Sequence, residues 1–174
     1  ERIGLAGREL EFLDTPGHAR HHHCIWDGAS RSWFTGDTFG ISYRELDSAN
    51  GPFLFPTTTP VQFEPEPLHR SIDALAAYEP RAMNLTHYAS IAFEPRLLAG
   101  LHAQIDAMVG LAHAAPGGDA RHAWLVDALE SDLRSRVRGH GCTLDDAAVD
   151  AVVAMDMELN AQGLGVWLDR QRSG

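Results

Sequence analysis

The chain has 174 residues, 44% of them apolar, and a formal charge of −10. That apolar content is typical of a globular protein, and the acidic balance excludes the basic stripe of a duplex-binding surface, so no nucleic-acid partner is expected. Every one of the 14 basic residues is arginine, which rules out Schiff-base catalysis by lysine. No apolar run is long enough to cross a bilayer, so no membrane partner is expected. Cys24 and Cys142 lie far apart in different kinds of element, and a reduced, cytoplasmic protein is the expectation.

Residues 9–14 alternate, with Leu10 and Phe12 on one face, and read as a strand. Pro16-Gly17 breaks it and presents His18. Residues 22–27 form a nearly continuous apolar run, as in a strand covered on both faces. A hairpin at residues 27–30 returns the chain as a strand over residues 32–35. Gly36 then allows a sharp turn that presents Asp37. Residues 41–66 are proline-rich and irregular, and segments of this length often form binding flaps. Tyr43, Arg44, Phe53 and Phe55 are the flap's candidates for touching a substrate or partner. An apolar cover over the sheet edge, or a dimer contact, is the competing reading. A helix over residues 67–78 and a strand over 82–86 deliver His87.

After residue 94 the pattern is helical throughout. Pro95 opens a first helix at its favoured position. Leu125, Leu129, Leu133 and Val137, spaced by four, mark a second. Thr143-x-x-Asp146 resembles a capping box for a third, which Gly163 and Gly165 are expected to interrupt. His102, His113, His122 and His140 have no ligand spacing and read as structural or exposed. The division expected is 1–94 for a layered α/β (α+β) part and 95–174 for an all-helical part.

His18, Asp37 and His87 each stand where an apolar strand ends. Imidazole and carboxylate are what a zinc or iron centre takes, and the spacing requires assembly from distant segments. Thr15-Pro16-Gly17-His18, then Phe34-Thr35-Gly36-Asp37-Thr38-Phe39-Gly40, then Thr86-His87 resemble, in this order, the second half of the metallo-β-lactamase fold. The resemblance covers roughly residues 8–90. It implies the C-terminal half of an αββα sandwich, with His18 on a first metal, Asp37 bridging two, and His87 on the second. The cofactor implied is Zn2+, two ions per intact site, with iron or manganese as alternatives. Thr15, His22, Thr35, Thr38 and Thr86 are the candidate supports behind the ligands. Tyr88 could offer a hydroxyl to a developing oxyanion.

The family's upstream His-x-His-x-Asp-His has no counterpart in the chain, and His21-His22-His23 does not replace it, because neighbours on a strand face opposite sides. The chain therefore reads as a C-terminal part whose partner is the missing N-terminal half of the domain, with metal absent or only partly held. The implied reaction is hydrolysis, a metal-bound hydroxide attacking an ester, thioester, lactone or phosphodiester bond of a small-molecule substrate. An iron-bound oxygenase or redox protein is the alternative within the fold. A non-catalytic interaction domain, forming a homodimer through an uncovered sheet face, is the alternative outside it. The reading requires His18, Asp37 and His87 to converge at one edge of the sheet.

Overall fold

The computed structural model describes residues 1–58, 62–87 and 90–173. Strands β1 (Arg2–Leu5), β2 (Arg8–Asp14), β3 (His23–Asp27), β4 (Ser32–Gly36), β5 (Ala82–Leu85) and β6 (Ser90–Ala92) form one six-stranded sheet in chain order. All neighbours are antiparallel except β4 and β5, which run parallel. A parallel pair needs a crossover, and helix α1 (Pro65–Ala76) lies in it. The short β1 and β6 were not anticipated. β1 contains no run of β-branched residues, and its only local signal is the Ala6-Gly7 turn, where both residues have positive φ.

One face of the sheet is covered. Trp33 and Met83 are fully buried on it, and α1 contributes Leu68, Ile72 and Leu75 to the same apolar cluster. Each such side chain is worth about 1.5–3 kcal/mol of burial. The Trp33 indole N–H donates to the Leu75 carbonyl at 3.0 Å, and Trp26 and Tyr78 pack against the Trp33 ring at 5.1 and 4.9 Å. The opposite face carries Ile3, Leu10, Phe12, Ile25 and Phe34, aligned by strand register. On that face Ile3 is 42% exposed and Phe34 49% exposed.

Helices α2 (Pro95–Ala114), α3 (Arg121–His140) and α4 (Asp146–Ser173) follow. Leu125, Leu129, Leu133 and Val137 are all buried, and one apolar cluster runs through the helices and the covered sheet face. The expected interruption of the third helix does not occur, since α4 continues through Gly163 and Gly165 for 28 residues. Two helical glycines cost roughly 1 kcal/mol each, and burial of Ala161, Leu164, Trp167 and Leu168 around them outweighs that. Thr143 does not cap α4. The Ala148 N–H donates to Asp145 Oδ1 at 2.9 Å, so Asp145 takes that role.

The flap reading requires correction. Ile41 pairs with Phe55 in an isolated antiparallel bridge, and Phe53, Leu54 and Phe55 are buried in the core. Phe53 and Phe55 are therefore chiefly packing residues, at 8% and 1% exposure. Arg44 is exposed and lies 3.6 Å from Asp47 in a surface ion pair. Tyr43 is half-buried and donates its hydroxyl to Asp156 on α4 at 3.0 Å. Much of this segment is an internal connector, because its aromatic side chains find more area to bury under the helices than over a cleft.

Candidate functional site

At the end of β2, Pro16 and Gly17 lead the chain to His18. Gly17 has φ +133, and a Cβ there would lie 2.3 Å from the backbone of Leu68, so only glycine allows α1 this close. Ser71 of α1 donates to the Pro16 carbonyl at 2.7 Å. His18, 7% exposed, is thus clamped from behind, and its Nδ1–H donates to the Thr57 carbonyl at 2.9 Å. With Nδ1 protonated, a neutral His18 has its lone pair on Nε2. That atom faces Asp37 Oδ2 at 3.5 Å.

At the end of β4, Gly36 adopts φ +50, and a Cβ there would meet His22 Nε2 at 2.3 Å. The gap lets the Asp37 N–H donate to His22 Nε2 at 3.2 Å. An Nε2 that accepts leaves the proton on Nδ1, which donates to Thr38 Oγ1 at 2.9 Å, with Thr15 Oγ1 also within 3.1 Å. Thr15 Oγ1 lies 3.2 Å from Cys24 Sγ, whose thiol donates to the Thr35 carbonyl at 3.2 Å. Thr15, Cys24, Thr35 and Thr38 are all essentially inaccessible. Burial pushes the Cys24 thiol up to about 11, so it remains a protonated donor. Burial, and next the charge of His18, lower the pKa of His22, which keeps it the neutral acceptor that the Asp37 amide requires. His21 and His23 are exposed.

The Asp37 carboxylate emerges above this layer. Its second oxygen, Oδ1, lies 3.3 Å from Nε2 of His87, whose side chain is 45% exposed. Oδ1 is buried and accepts no hydrogen bond among the described residues. The structure thus brings His18, Asp37 and His87 together, one carboxylate oxygen toward each imidazole. Thr15, His22, Thr35 and Thr38 lie in the buried layer, while Thr86 is exposed and stands outside it. Tyr88 lies outside the described residues. Thr57, whose carbonyl fixes the His18 ring, was missed from sequence, because a backbone acceptor leaves no residue-type signal.

Two ligands on one tetrahedral zinc lie about 3.3 Å apart when the metal–ligand distance is 2.0–2.1 Å. The 3.5 and 3.3 Å separations here match that edge. The orphaned Oδ1 and the deprotonated Nε2 are the donor chemistry such an ion takes. Each imidazole shares only one edge with the carboxylate, however. Among the described residues no group of three or more His, Cys, Asp or Glu side chains is arranged to hold a metal ion.

The profile of the Metallo-beta-lactamase superfamily matches residues 1–87, half of the 174-residue chain. The chain belongs to the metallo-β-lactamase superfamily. Among solved structures it is similar to a metallo-beta-lactamase family protein from Thermus thermophilus, with TM-score 0.53 and 21% identity, over 88% of this chain and 48% of that one. An archaeal superfamily protein from Sulfolobus tokodaii gives TM-score 0.46 and 23% identity, over 80% and 48%. An inverting sec-alkylsulfatase from a Pseudomonas species gives 0.42 and 14%, over 94% and 24%. No curated protein matches the chain. The chain spans about half the length of the first two of these structures, both at 48%. The superfamily is of hydrolase type and metal-dependent, generally on zinc, and the mixed α/β chain with its helical C-terminal region has that fold. Among the described residues no helix is long and apolar enough to cross a membrane.

Proposed function

We propose that residues 1–94 carry the bridging-carboxylate half of a metal-dependent hydrolase centre. The observation that carries this reading is the Asp37 carboxylate, which turns Oδ2 to His18 and a buried, unbonded Oδ1 to His87. His18 and Asp37 would hold one zinc, Asp37 and His87 a second. A bound metal pair supplies an acidified water and a polarised carbonyl or phosphoryl oxygen. The chain's own residues then have defined tasks. Thr57 and the α1 clamp hold the His18 lone pair toward the site, and His22 fixes the Asp37 backbone from which the carboxylate projects. On α4, the half-buried Asp156 accepts the Tyr43 hydroxyl and lies within electrostatic reach of His87. Burial raises the Asp156 pKa, opposed by the Tyr43 hydrogen bond and the charge of His87. The acidic chain favours a small ester, thioester or lactone over nucleic acid.

Two protein donors per ion are fewer than the three a catalytic zinc normally has. Under this reading the remaining donors come from residues outside this set. Zinc titrated into the 174-residue chain should bind weakly, exchange freely and yield to a chelator. Asp37→Ala should abolish that binding. Ester, lactone or phosphodiester turnover is expected only when the remaining donors are present. Zinc binding indifferent to Asp37→Ala would overturn the assignment, as would chelator-resistant, stoichiometric zinc with turnover in the chain alone.

A second reading, a non-catalytic interaction domain, is favoured by the open sheet face with Ile3, Leu5 and Phe34 exposed. The same face would receive the rest of the domain under the first reading. A dimer that forms through it, with no metal-linked change in stability, would favour the second.

A further inference from the structure

Asn160 sits in the buried stripe of α4, between Met157 and Leu164, and is only 1% exposed. An amide there costs about 1–3 kcal/mol of desolvation unless its polar atoms are bonded. Both are used on one loop. Asn160 Oδ1 accepts the Thr58 N–H at 2.7 Å, and Asn160 Nδ2 donates to the Pro56 carbonyl at 3.3 Å. The Thr58 hydroxyl also reaches the Leu159 carbonyl at 3.4 Å.

The Thr58 N–H and the Thr57 C=O belong to one peptide group, which is planar and rigid. That carbonyl accepts the His18 Nδ1–H at 2.9 Å. The chain of bonds therefore runs from the His18 imidazole, through a single peptide plane, to the side chain of Asn160. Each bond polarises the next.

The consequence lies at the other ring nitrogen. His18 Nε2 faces Asp37 Oδ2 at 3.5 Å. Were the proton on Nε2, the imidazole would donate to that carboxylate, and the pair would close on itself with no lone pair left for a cation. Only a good acceptor at Nδ1 holds the ring in the other tautomer. We propose that Asn160 is a positioning residue for His18: by fixing the Thr57–Thr58 peptide plane from the C-terminal helical region, it selects the Nδ1–H tautomer and keeps Nε2 open toward Asp37. The inference deepens the reading of His18 as a metal ligand and rests on it for its catalytic consequence, though not for its geometry.

The test is the imidazole nitrogen chemical shifts of His18 in the metal-free 174-residue chain. The parent, in its neutral imidazole form, should show one Nδ1–H tautomer. Asn160→Leu keeps the volume and removes both bonds. It should mix the tautomers, moving the two nitrogen signals toward each other, and lower zinc affinity by about 10–100-fold. Asn160→Asp retains the acceptor for the Thr58 N–H and should restore the parent pattern. A merely structural Asn160 would lower the unfolding midpoint without moving the tautomer, and a folded Asn160→Leu with parent shifts overturns the inference. Should Asn160→Leu not fold, Thr58→Pro removes the same bond from the loop side, and unchanged His18 shifts in that variant overturn it equally. Because the tautomer is read without metal, an altered tautomer in a chain whose zinc binding is indifferent to Asp37→Ala would refute only the hydrolase reading. Weak zinc binding that Asp37→Ala abolishes, with an unmoved tautomer in Asn160→Leu, would refute only the role of Asn160.

Discussion

The loops that end β2 and β4 and the helices after residue 94 spend the same residue types differently. Beneath Asp37, His22 is half-buried and both of its ring nitrogens are committed, one to the Asp37 amide and one to Thr38. On α3, His122 meets Glu158 of α4 at 3.0 Å with both side chains about half exposed, at 47% and 48%. Arg121 and Asp169 form a two-pronged pair at 2.6 and 2.8 Å on the same helices. In the loops a polar group is surrounded by protein, so its bonds are made to other protein groups in a fixed geometry. On the helices water competes for every charge. The difference teaches where rigidity resides: the helical region is held by its apolar stripe, and the loops by a polar layer that cannot be solvated.

The largest effect should come from closing the approach of α1. In Gly17→Ala the new methyl would meet the Leu68 backbone at 2.3 Å from a residue at φ +133. Strain and overpacking each cost about 1–3 kcal/mol, so a loss of about 3 kcal/mol or more is expected. Urea denaturation measures it. A loss below about 1 kcal/mol, the low end of either cost, would mean that α1 is not seated against the loop.

His22→Leu removes the acceptor of the Asp37 N–H and the donor to Thr38 while roughly conserving volume. One buried N–H left unbonded costs about 1–3 kcal/mol, so a loss of about 2 kcal/mol is expected. Amide hydrogen exchange at Asp37 should accelerate beyond the global change. Equal acceleration everywhere would show that His22 only fills space.

Much of this arrangement was legible in the sequence, and for stated reasons. His18, Asp37 and His87 were found because strand endings are marked by Pro16-Gly17, by Gly36 and by the apolar run before Thr86. Their side chains meet because β4 and β5 run parallel and so end at the same edge. The stripe of Leu125, Leu129, Leu133 and Val137 was equally plain, since a helix must bury one face. The roles of Phe53 and Phe55 were not legible, because an apolar side chain in an irregular segment reads the same over a cleft or under a helix. Asn160 left a signal that was passed over: an amide among Met157, Ala161 and Leu164 must be bonded to be buried there. What it bonds, a loop about a hundred residues earlier, is set only by tertiary packing.

Among the surface pairs the two-pronged one should have the larger effect. The Arg121 hydrogen bond holds the Asp169 carboxyl below its ordinary value of 3.8. A carboxylate with a lowered folded-state pKa stabilises the fold above its unfolded value, and that contribution is lost as pH falls through the folded one. Asp169→Asn should therefore lower stability at neutral pH and flatten the acid limb below about pH 4, and thermal melts across that range measure it. Asp169 is 57% exposed, so solvent screening limits the loss to about 1 kcal/mol. An undiminished acid limb in the variant would assign that limb to other carboxylates.

The smallest effect belongs to His122. Its Nε2 approaches both oxygens of Glu158 at 3.0 Å, a contact that on distance alone rivals those under Asp37. Distance is not the deciding quantity, however. With both groups about half in water, forming the pair exchanges hydration for contact at little net gain, and ordering two side chains offsets part of it. Glu158 has another partner as well, the Gln162 amide at 2.8 Å, which leaves the carboxylate bonded when the imidazole is removed. His122→Ala should then change stability by less than about 0.5 kcal/mol, with no change in zinc binding. The same chemical denaturation that registers His22→Leu is the measurement, so the two histidines can be set side by side under one condition. A loss at His122 equal to that at His22 would break the distinction between the two regions, and would mean that the α3–α4 seam depends on its charges as much as on its apolar stripe.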